Sequence, residues 1–216
     1  MNRILRSSSW VLAAILSVGV AVFSYRYLPR IGPLVPNILQ NLFARPWLDI
    51  HIVGAATALL IGPLQFVPRL RARRELHRWV GRVYVAGCLI GGVGGFVMAF
   101  GSTAGPVASA GFGSLAVIWI FANVQGWWLA RARRFQNHRA WMIRSFALTF
   151  AAVTLRLYLS LFPLVGVSFL DGYRAVSFLS WVPNLIVAEI YLRGGFARRR
   201  AVSGPGRTAA YSRPLI

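Results

Sequence analysis

Apolar residues dominate six stretches of the chain, and short segments containing glycine, proline or arginine separate them. A helix needs about 20 largely apolar residues to cross the hydrocarbon core of a bilayer. We therefore predict an all-α integral membrane protein, a bundle of six transmembrane helices. The predicted spans are Ser9–Tyr25, Leu48–Val67, Trp79–Phe100, Ala110–Ala130, Ala140–Pro163 and Arg174–Leu192.

The same pattern predicts how the chain is divided. The apolar run after MNRILR has no convincing small-x-small cleavage site, so residues 1–28 are predicted to be an uncleaved signal-anchor span. Residues 29–47 then form an outer loop, 48–192 a five-span membrane domain, and 193–216 a basic, disordered cytoplasmic tail. The prolines at 63, 68 and 163 fall at span ends, so no span is expected to be interrupted at its centre.

The charge of the chain limits what its partners can be. Of the 216 residues, 57% are hydrophobic and 13% charged, which is too apolar for a soluble domain of this size. The net charge of +20 would suit a nucleic-acid binder, but the charges lie between apolar runs and not on an exposed aromatic face. We expect no nucleic-acid partner, and we expect contact with a lipid bilayer that has anionic headgroups.

The distribution of arginine predicts the orientation. All 24 basic residues are arginine, and 19 of them fall in the N-terminus, the second-to-third loop, the fourth-to-fifth loop and the C-terminal segment. Only four fall on the other side of the predicted membrane. Short loops rich in arginine stay in the cytoplasm, so both the N-terminus and the C-terminus are predicted to be cytoplasmic.

Small residues recur every four positions in two of the spans, which is typical of membrane helices that pack closely. We predict that the second and third spans contact each other along these two ridges. The ridge residues are Gly54, Ala58 and Gly62 in the second span and Gly87, Gly91 and Gly95 in the third.

Two similar basic segments, RARRELHRWVGR from residue 71 and RARRFQNHRAWMIR from residue 131, each place a histidine at the start of a span. Orientation explains the arginines but not the histidines. Histidines from two helices at one depth can hold a b-type haem, and arginines can neutralise its propionates. A haem-binding or electron-transfer protein is therefore one hypothesis. The candidate residues on this cytoplasmic side are His77, His138, Arg78, Arg139, Arg82, Arg144 and Glu189.

Haem ligation sets a geometric condition, because the two coordinating nitrogens must lie roughly 4 Å apart across the iron. A non-haem metal is less favoured, since no carboxylate or cysteine joins the histidines at ligand spacing. Glu189 is expected to pair with Arg82 or Arg144. The single cysteine, Cys88, lies in an apolar run and excludes a disulfide within the chain.

A second polar group is predicted towards the outer side, formed by Asp49, His51 and Arg156. Charged side chains inside a membrane are costly and are usually paired or functional. An ion pair between Arg156 and Asp49 is the structural interpretation. The functional alternative is a small transporter or lipid-binding protein whose ligand is anionic or protonatable.

Four segments carry a family resemblance: DIHIVGAATALLIGPLQFVPRLR, LHRWVGRVYVAGCLIGG, NHRAWMIRSFALTFAAVTLRLYL and WVPNLIVAE. Together they resemble the bacterial multi-pass membrane family called domain of unknown function 2306, over residues 48–192. The resemblance implies a protein of the bacterial cytoplasmic membrane and no established activity. The matching positions are His51, Gln65, His77, Arg78, Gly81, Tyr84, His138, Arg139, Arg144, Arg156 and Glu189.

Sequence motifs of common enzymes are missing from the chain. There is no serine nucleophile elbow, no HExxH zinc pattern, no pair of carboxylates and no Walker motif. An ordinary hydrolase or ATPase is therefore not indicated, and a non-catalytic envelope protein stays open beside the haem and transporter hypotheses.

Overall fold

The computed structural model describes the backbone of residues 3–32, 34 and 36–202, and the side chains of residues 8–32, 34 and 38–194. The described residues form helices joined by short connections, with 3₁₀ turns at 62–66 and 162–165. The helices are α1 (Arg3–Tyr25), α2 (Pro36–Leu39), α3 (Ala44–Ile61), α4 (Pro68–Ala72), α5 (Arg74–Phe100), α6 (Pro106–Arg131), α7 (Phe135–Thr149), α8 (Ala151–Leu161), α9 (Phe169–Leu179) and α10 (Val182–Val202).

Six segments, each formed by one helix or by consecutive helices, are long and apolar enough to cross a membrane. This confirms the predicted six-span α-helical architecture. No strand occurs in the part of the chain that the structure describes. The segments begin up to five residues earlier than predicted, because each helix continues into the polar residues that flank its apolar run. They are Ser8–Tyr25, Ala44–Phe66, Arg74–Phe100, Pro106–Arg131, Phe135–Val165 and Phe169–Gly194.

The third span, α5, lies at the centre of the bundle between α3 and α6, and α1 packs on the outside of α3. We call the side on which α5 and α7 begin the arginine-rich side, since it carries the two RARR segments. The other side, where α1 and α5 end, is the opposite side. Which of the two faces the cytoplasm stays a prediction.

The α3–α5 contact is a contact between backbones. A Cβ added to Gly54 would lie 2.3 Å from the Gly91 nitrogen, and one added to Gly87 would lie 2.9 Å from the Gly54 carbonyl oxygen. One added to Gly91 would lie 2.6 Å from the Ala55 nitrogen. No real Cβ fits at these distances, so only glycine allows the two helices to cross this closely. We call this contact the glycine seam.

Two of the predicted ridge residues lie at the ends of the seam and have side chains as neighbours. A Cβ at Gly62 would meet the rings of Phe146 and Tyr84, and a Cβ at Gly95 would meet the ring of His51. Both positions therefore make room for a ring and not for a backbone.

On another face, α5 joins α6 and α7 through buried polar side chains. The Tyr84 hydroxyl lies 2.8 Å from Ser145 Oγ and 2.9 Å from Thr149 Oγ1. Trp119 Nε1 donates to Thr149 Oγ1, and Ser145 Oγ donates to Asn123 Oδ1, each at 2.9 Å. All five residues are buried. We call this cluster the polar core. Every hydrogen bond in it satisfies a group that water cannot reach.

The expectation that no span is interrupted at its centre was wrong. The fifth span breaks at Phe150, between α7 and α8, and the sixth breaks at Ser180 and Trp181, between α9 and α10. The second break follows from Pro183, which has no backbone N–H to continue a helix and displaces the preceding turn. At the first break, the Val153 N–H bonds the Phe150 carbonyl, a three-residue step in place of the usual four.

The two breaks are tied to each other by side chains. Asn184 Nδ2 donates to the carbonyl oxygens of Ala147 and Ser180, at 3.2 and 2.9 Å. The Thr154 hydroxyl also donates to the Ser180 carbonyl. Carbonyl groups freed by a broken helix need such partners inside a membrane, where no water can replace them.

The C-terminal helix α10 continues to Val202, into the segment predicted to be a disordered tail. Residues 203–216, the remainder of that segment, lie outside the described residues. Within the predicted outer loop, residues 29–47, the four residues Pro36–Leu39 form the short helix α2.

Candidate functional site

The two arginine-side histidines are brought together by helix direction. The α6 helix runs antiparallel to α5 and to α7, so α5 and α7 run in the same direction. His77 precedes Tyr84 by seven residues on α5, and His138 precedes Ser145 by seven residues on α7. Seven residues are about two turns, or about 10 Å along each helix.

Since Tyr84 and Ser145 are hydrogen-bonded, His77 and His138 occupy matching positions about two turns closer to the arginine-rich side. Their side chains lie close enough to interact electrostatically. The structure thus places both arms of the predicted histidine pair in one region.

The two imidazole rings differ in their hydrogen bonds. His138 Nδ1 lies 2.8 Å from the Gly126 carbonyl oxygen. A carbonyl oxygen only accepts, so Nδ1 carries the proton and Nε2 keeps its lone pair. His77 Nδ1 is buried and has no hydrogen-bond partner among the described residues. The pair therefore offers ring nitrogens that the protein itself does not use.

Gln65, one of the positions that match the family, adds a polar group that the sequence analysis did not assign to the site. Its side chain is 8% exposed, and its Nε2 has no partner among the described residues. A Cβ added to Gly81, one turn after His77 on α5, would lie 3.5 Å from Gln65 Oε1. The signal that could have found it is a single amide inside an apolar span.

The arginines assigned to this site divide into two kinds. Arg144 donates to both carboxylate oxygens of Glu189. Of the two partners predicted for Glu189, the structure therefore shows Arg144 and not Arg82. Arg144 also lies 4.7 Å above the Trp141 ring, and Arg82 lies 4.6 Å above the Trp79 ring. Glu189 and Trp141 therefore hold the Arg144 side chain, and Trp79 holds that of Arg82.

Arg78 and Arg139, which directly follow the two histidines, are exposed. They make no ion pair or hydrogen bond within the described part of the chain. Like Arg71, which is exposed and acts electrostatically on His77, they are therefore available to a ligand beside the histidine pair.

On the opposite side, the predicted ion pair between Arg156 and Asp49 was wrong. Asp49 pairs with Arg30, with 2.9 Å between Oδ1 and the guanidinium nitrogen. Arg156 instead donates to the Ala152 carbonyl and to Ser24 Oγ, both at 2.8 Å. Asp49 lies near the start of α3, where the turn after α1 brings Arg30 to it, whereas Arg156 faces the last turn of α1.

His51 does lie near Arg156, close enough for electrostatic interaction. Its Nδ1 donates to the Gly91 carbonyl at 2.7 Å, across the glycine seam. The predicted outer group is therefore split: His51 and Arg156 are neighbours, while Asp49 belongs to a surface ion pair.

The described residues contain no cluster of three or more histidine, cysteine, aspartate or glutamate side chains that could hold a metal ion. Zinc and similar ions bound by protein usually need three or four such ligands. The histidine pair supplies two side chains, fewer than such an ion usually needs.

Comparison with known proteins agrees with this architecture. Residues 48–192 match the family described as predicted membrane protein, domain of unknown function 2306, and the chain belongs to that family. No curated protein and no solved structure matches the chain. The biochemical activity of the family is unassigned, so a function has to be argued from the site.

Proposed function

We propose that this member of the domain of unknown function 2306 family is a multi-pass protein of a bacterial cytoplasmic membrane that binds a b-type haem between His77 and His138. The observation that carries the proposal is the placement of the two histidines at matching depth on the parallel helices α5 and α7. The function would then be haem binding or electron transfer.

The number of ligands supports haem over a bare metal ion. A haem would bring four nitrogen ligands of its own, so the protein would have to supply only two, His77 and His138. Helical bundles commonly place such ligands on facing helices. Two histidines without a third metal-binding side chain among the described residues suit this arrangement.

The hydrogen bond of His138 supports a ligand role for its other nitrogen. Histidines that bind metals usually donate their second ring N–H to a carbonyl or carboxylate, which fixes the ring and its tautomer. The bond from His138 Nδ1 to the Gly126 carbonyl has this form and would leave Nε2 free to bind the iron. Arg78 and Arg139 are exposed beside the pair and suit the two propionates of a haem.

The test is the absorption spectrum of the full chain purified from cells supplied with haem. We expect a Soret band in the wild type that is lost or strongly shifted in His77→Ala and His138→Ala. His51→Ala is the matched control, because His51 also donates to a backbone carbonyl but has no second histidine among its contacts. We expect this variant to keep the band.

A featureless spectrum in a folded wild-type protein would refute haem binding. So would equal loss of the band in all three variants. Size-exclusion profiles and far-UV circular dichroism identify variants that fail to fold, and His77→Met then provides a substitute axial ligand whose band should shift and not disappear.

The proposed orientation places the arginine-rich side in the cytoplasm, against anionic headgroups. Its support is the 19 arginines assigned to that side against four assigned to the other. A fluorescent protein that matures only in the cytoplasm, fused to the C-terminus, should fluoresce, and a phosphatase active only outside it should be inactive in the same position. The reverse result would overturn the orientation.

A further inference from the structure

Arg156 lies within the fifth span and has no acidic partner among the described residues. Its two hydrogen-bond acceptors, the Ala152 carbonyl and Ser24 Oγ, are both neutral. A guanidinium group has five N–H donors, and these bonds use two of them. The remaining donors belong to a half-buried positive charge that the described residues do not neutralise.

A second guanidinium group lies close by. Arg26 follows the end of α1, and its side chain lies 3.8 Å from the centre of the Phe23 ring. Arg26 Nε is buried without a hydrogen-bond partner among the described residues. Arg26 stands two residues after Ser24, whose hydroxyl accepts a hydrogen bond from Arg156, and the two positive guanidinium groups repel each other.

The acidic residues of the chain do not compensate this pair. There are four of them, and Asp49 is bound to Arg30, Asp171 to Arg174 and Glu189 to Arg144. Glu75 lies in the first turn of α5, on the arginine-rich side. Arg26 and Arg156 are therefore left as two positive charges at the border of a low-dielectric region, which is costly unless an anion joins them.

We propose that Arg26 and Arg156 together bind one phosphate-type anion, either the phosphodiester of a lipid headgroup or a free phosphate. Guanidinium groups match phosphate oxygens with paired N–H donors and keep their charge at all physiological pH values. Ser24 holds the Arg156 guanidinium in place, and Tyr27, which is 6% exposed, packs beneath Arg26.

The surroundings of the pair suit a lipid. Val22 and Phe23 on α1 and Leu157 on α8 are 60%, 50% and 46% exposed, so apolar side chains flank the two arginines on the outer surface of the bundle. A phospholipid would place its acyl chains on these residues and its phosphate between the guanidinium groups. This site does not involve His77 or His138 and is independent of haem binding.

The test uses the full chain in a zwitterionic detergent. Phosphatidylglycerol or phosphatidylcholine is added, and the bound lipid is measured by native mass spectrometry. Arg26→Gln and Arg156→Gln should each weaken phosphatidylglycerol binding roughly tenfold, as expected for one lost charge-assisted contact. Arg174→Gln is the matched control: it removes the same charge on the same side but from an arginine that already has a carboxylate, so it should change binding by less than about twofold.

Inorganic phosphate distinguishes the two sources. If it competes with phosphatidylglycerol, and the two glutamine variants abolish the competition, the ligand is a free anion. If only the lipid binds in a variant-dependent manner, the ligand is a headgroup. Equal losses in Arg26→Gln and Arg174→Gln, or no binding of either probe, would overturn the site.

A folding defect in Arg156→Gln does not block the test. Arg26 is only half buried, and its substitution leaves the hydrogen bonds of Arg156 in place. Arg156→Lys retains the charge but not the paired donors, so it should bind phosphatidylglycerol with intermediate affinity.

Discussion

Two faces of the same helix, α5, hold the bundle together by different means. Towards α3, α5 presents Gly87 and Gly91, and the contact is made by backbone atoms. Towards α6 and α7 it presents Tyr84 and Cys88, and the contact with α7 is made by hydroxyl groups within the polar core. The face towards α3 leaves no room for side chains at its glycines. The face towards α6 and α7 depends on polar side chains, which apolar surroundings usually exclude.

The difference shows how membrane helices associate without a hydrophobic driving force between them. Lipid tails are as apolar as leucine, so helices gain from close packing and from hydrogen bonds that lipid cannot offer. The glycine seam uses the first of these and tolerates no added volume. The polar core uses the second and tolerates no lost partner. Each face should therefore fail under a different kind of substitution.

The largest effect is expected from adding volume to the glycine seam. Even a Cβ at Gly91 would lie only 2.6 Å from the Ala55 nitrogen, and the side chain in Gly91→Val is larger still. The two helices would therefore have to separate along their whole crossing. We expect a loss of roughly 3 kcal/mol or more in the free energy of unfolding. Unfolding in a denaturing detergent series would measure it.

Gly19→Ala is the matched control for this substitution. Gly19 lies in α1, and a Cβ added there would have no neighbour within 4 Å. It should be neutral or slightly stabilising, because alanine favours the helix more than glycine does. Equal stability of the Gly91 and Gly19 variants would show that α3 and α5 do not cross as described.

A smaller effect is expected from removing one hydroxyl group of the polar core. Thr149→Val preserves the volume but removes the acceptor of Trp119 Nε1 and one of the two partners of the Tyr84 hydroxyl. The expected loss is about 1–2 kcal/mol, since buried groups in membrane proteins find substitute partners only in part. Thr103→Val, at an exposed position, serves as the control and should change stability little.

The same variant separates the two faces of α5. Hydrogen exchange in Thr149→Val should increase in α6 and α7 and leave the α3–α5 contact protected, whereas the Gly91 variant should expose α3 as well. Uniform exchange across the bundle in Thr149→Val would mean that the polar core and the glycine seam open as one unit.

The smallest effect is expected from the ion pair between α7 and α10. Arg144 of α7 and Glu189 of α10 form a paired contact, with side chains 23% and 34% exposed. Glu189→Gln should lower stability by about 0.5–1 kcal/mol, as partly exposed pairs usually contribute no more. A double-mutant cycle with Arg144→Gln measures the pair itself, and a coupling energy close to zero would show that Arg144 contributes through Trp141 instead.

Much of the architecture was predictable because it depends on local composition. Runs of apolar residues identified the six spans, and the four-residue spacing of small side chains identified the helices that approach each other. The breaks in the fifth and sixth spans were not predicted. Pro183 marks the break in the sixth span, but no proline marks the break at Phe150 in the fifth. That break depends on contacts with the polar core and with Asn184.

The histidine region was predictable in its members but not in its geometry. His77 and Tyr84 on α5, and His138 and Ser145 on α7, each stand seven residues apart, a spacing that puts both members of a pair on one helix face. The repeated His-Arg motif indicated the two histidines as candidate site residues. The buried amide of Gln65 and the unshared nitrogen of His77 appear only when α3, α5 and α7 are assembled.

By itself the sequence determined where the helices lie, which helix faces are small, and which polar residues the membrane has to accommodate, because these depend on the solvent and on residue spacing. Only the tertiary structure decided which partner each polar residue has. Asp49 pairs with Arg30 and leaves Arg156 without an acid, since pairing depends on where separate spans come to rest beside one another. Charges distant in sequence acquire their partners through packing, and packing is a property of the whole bundle.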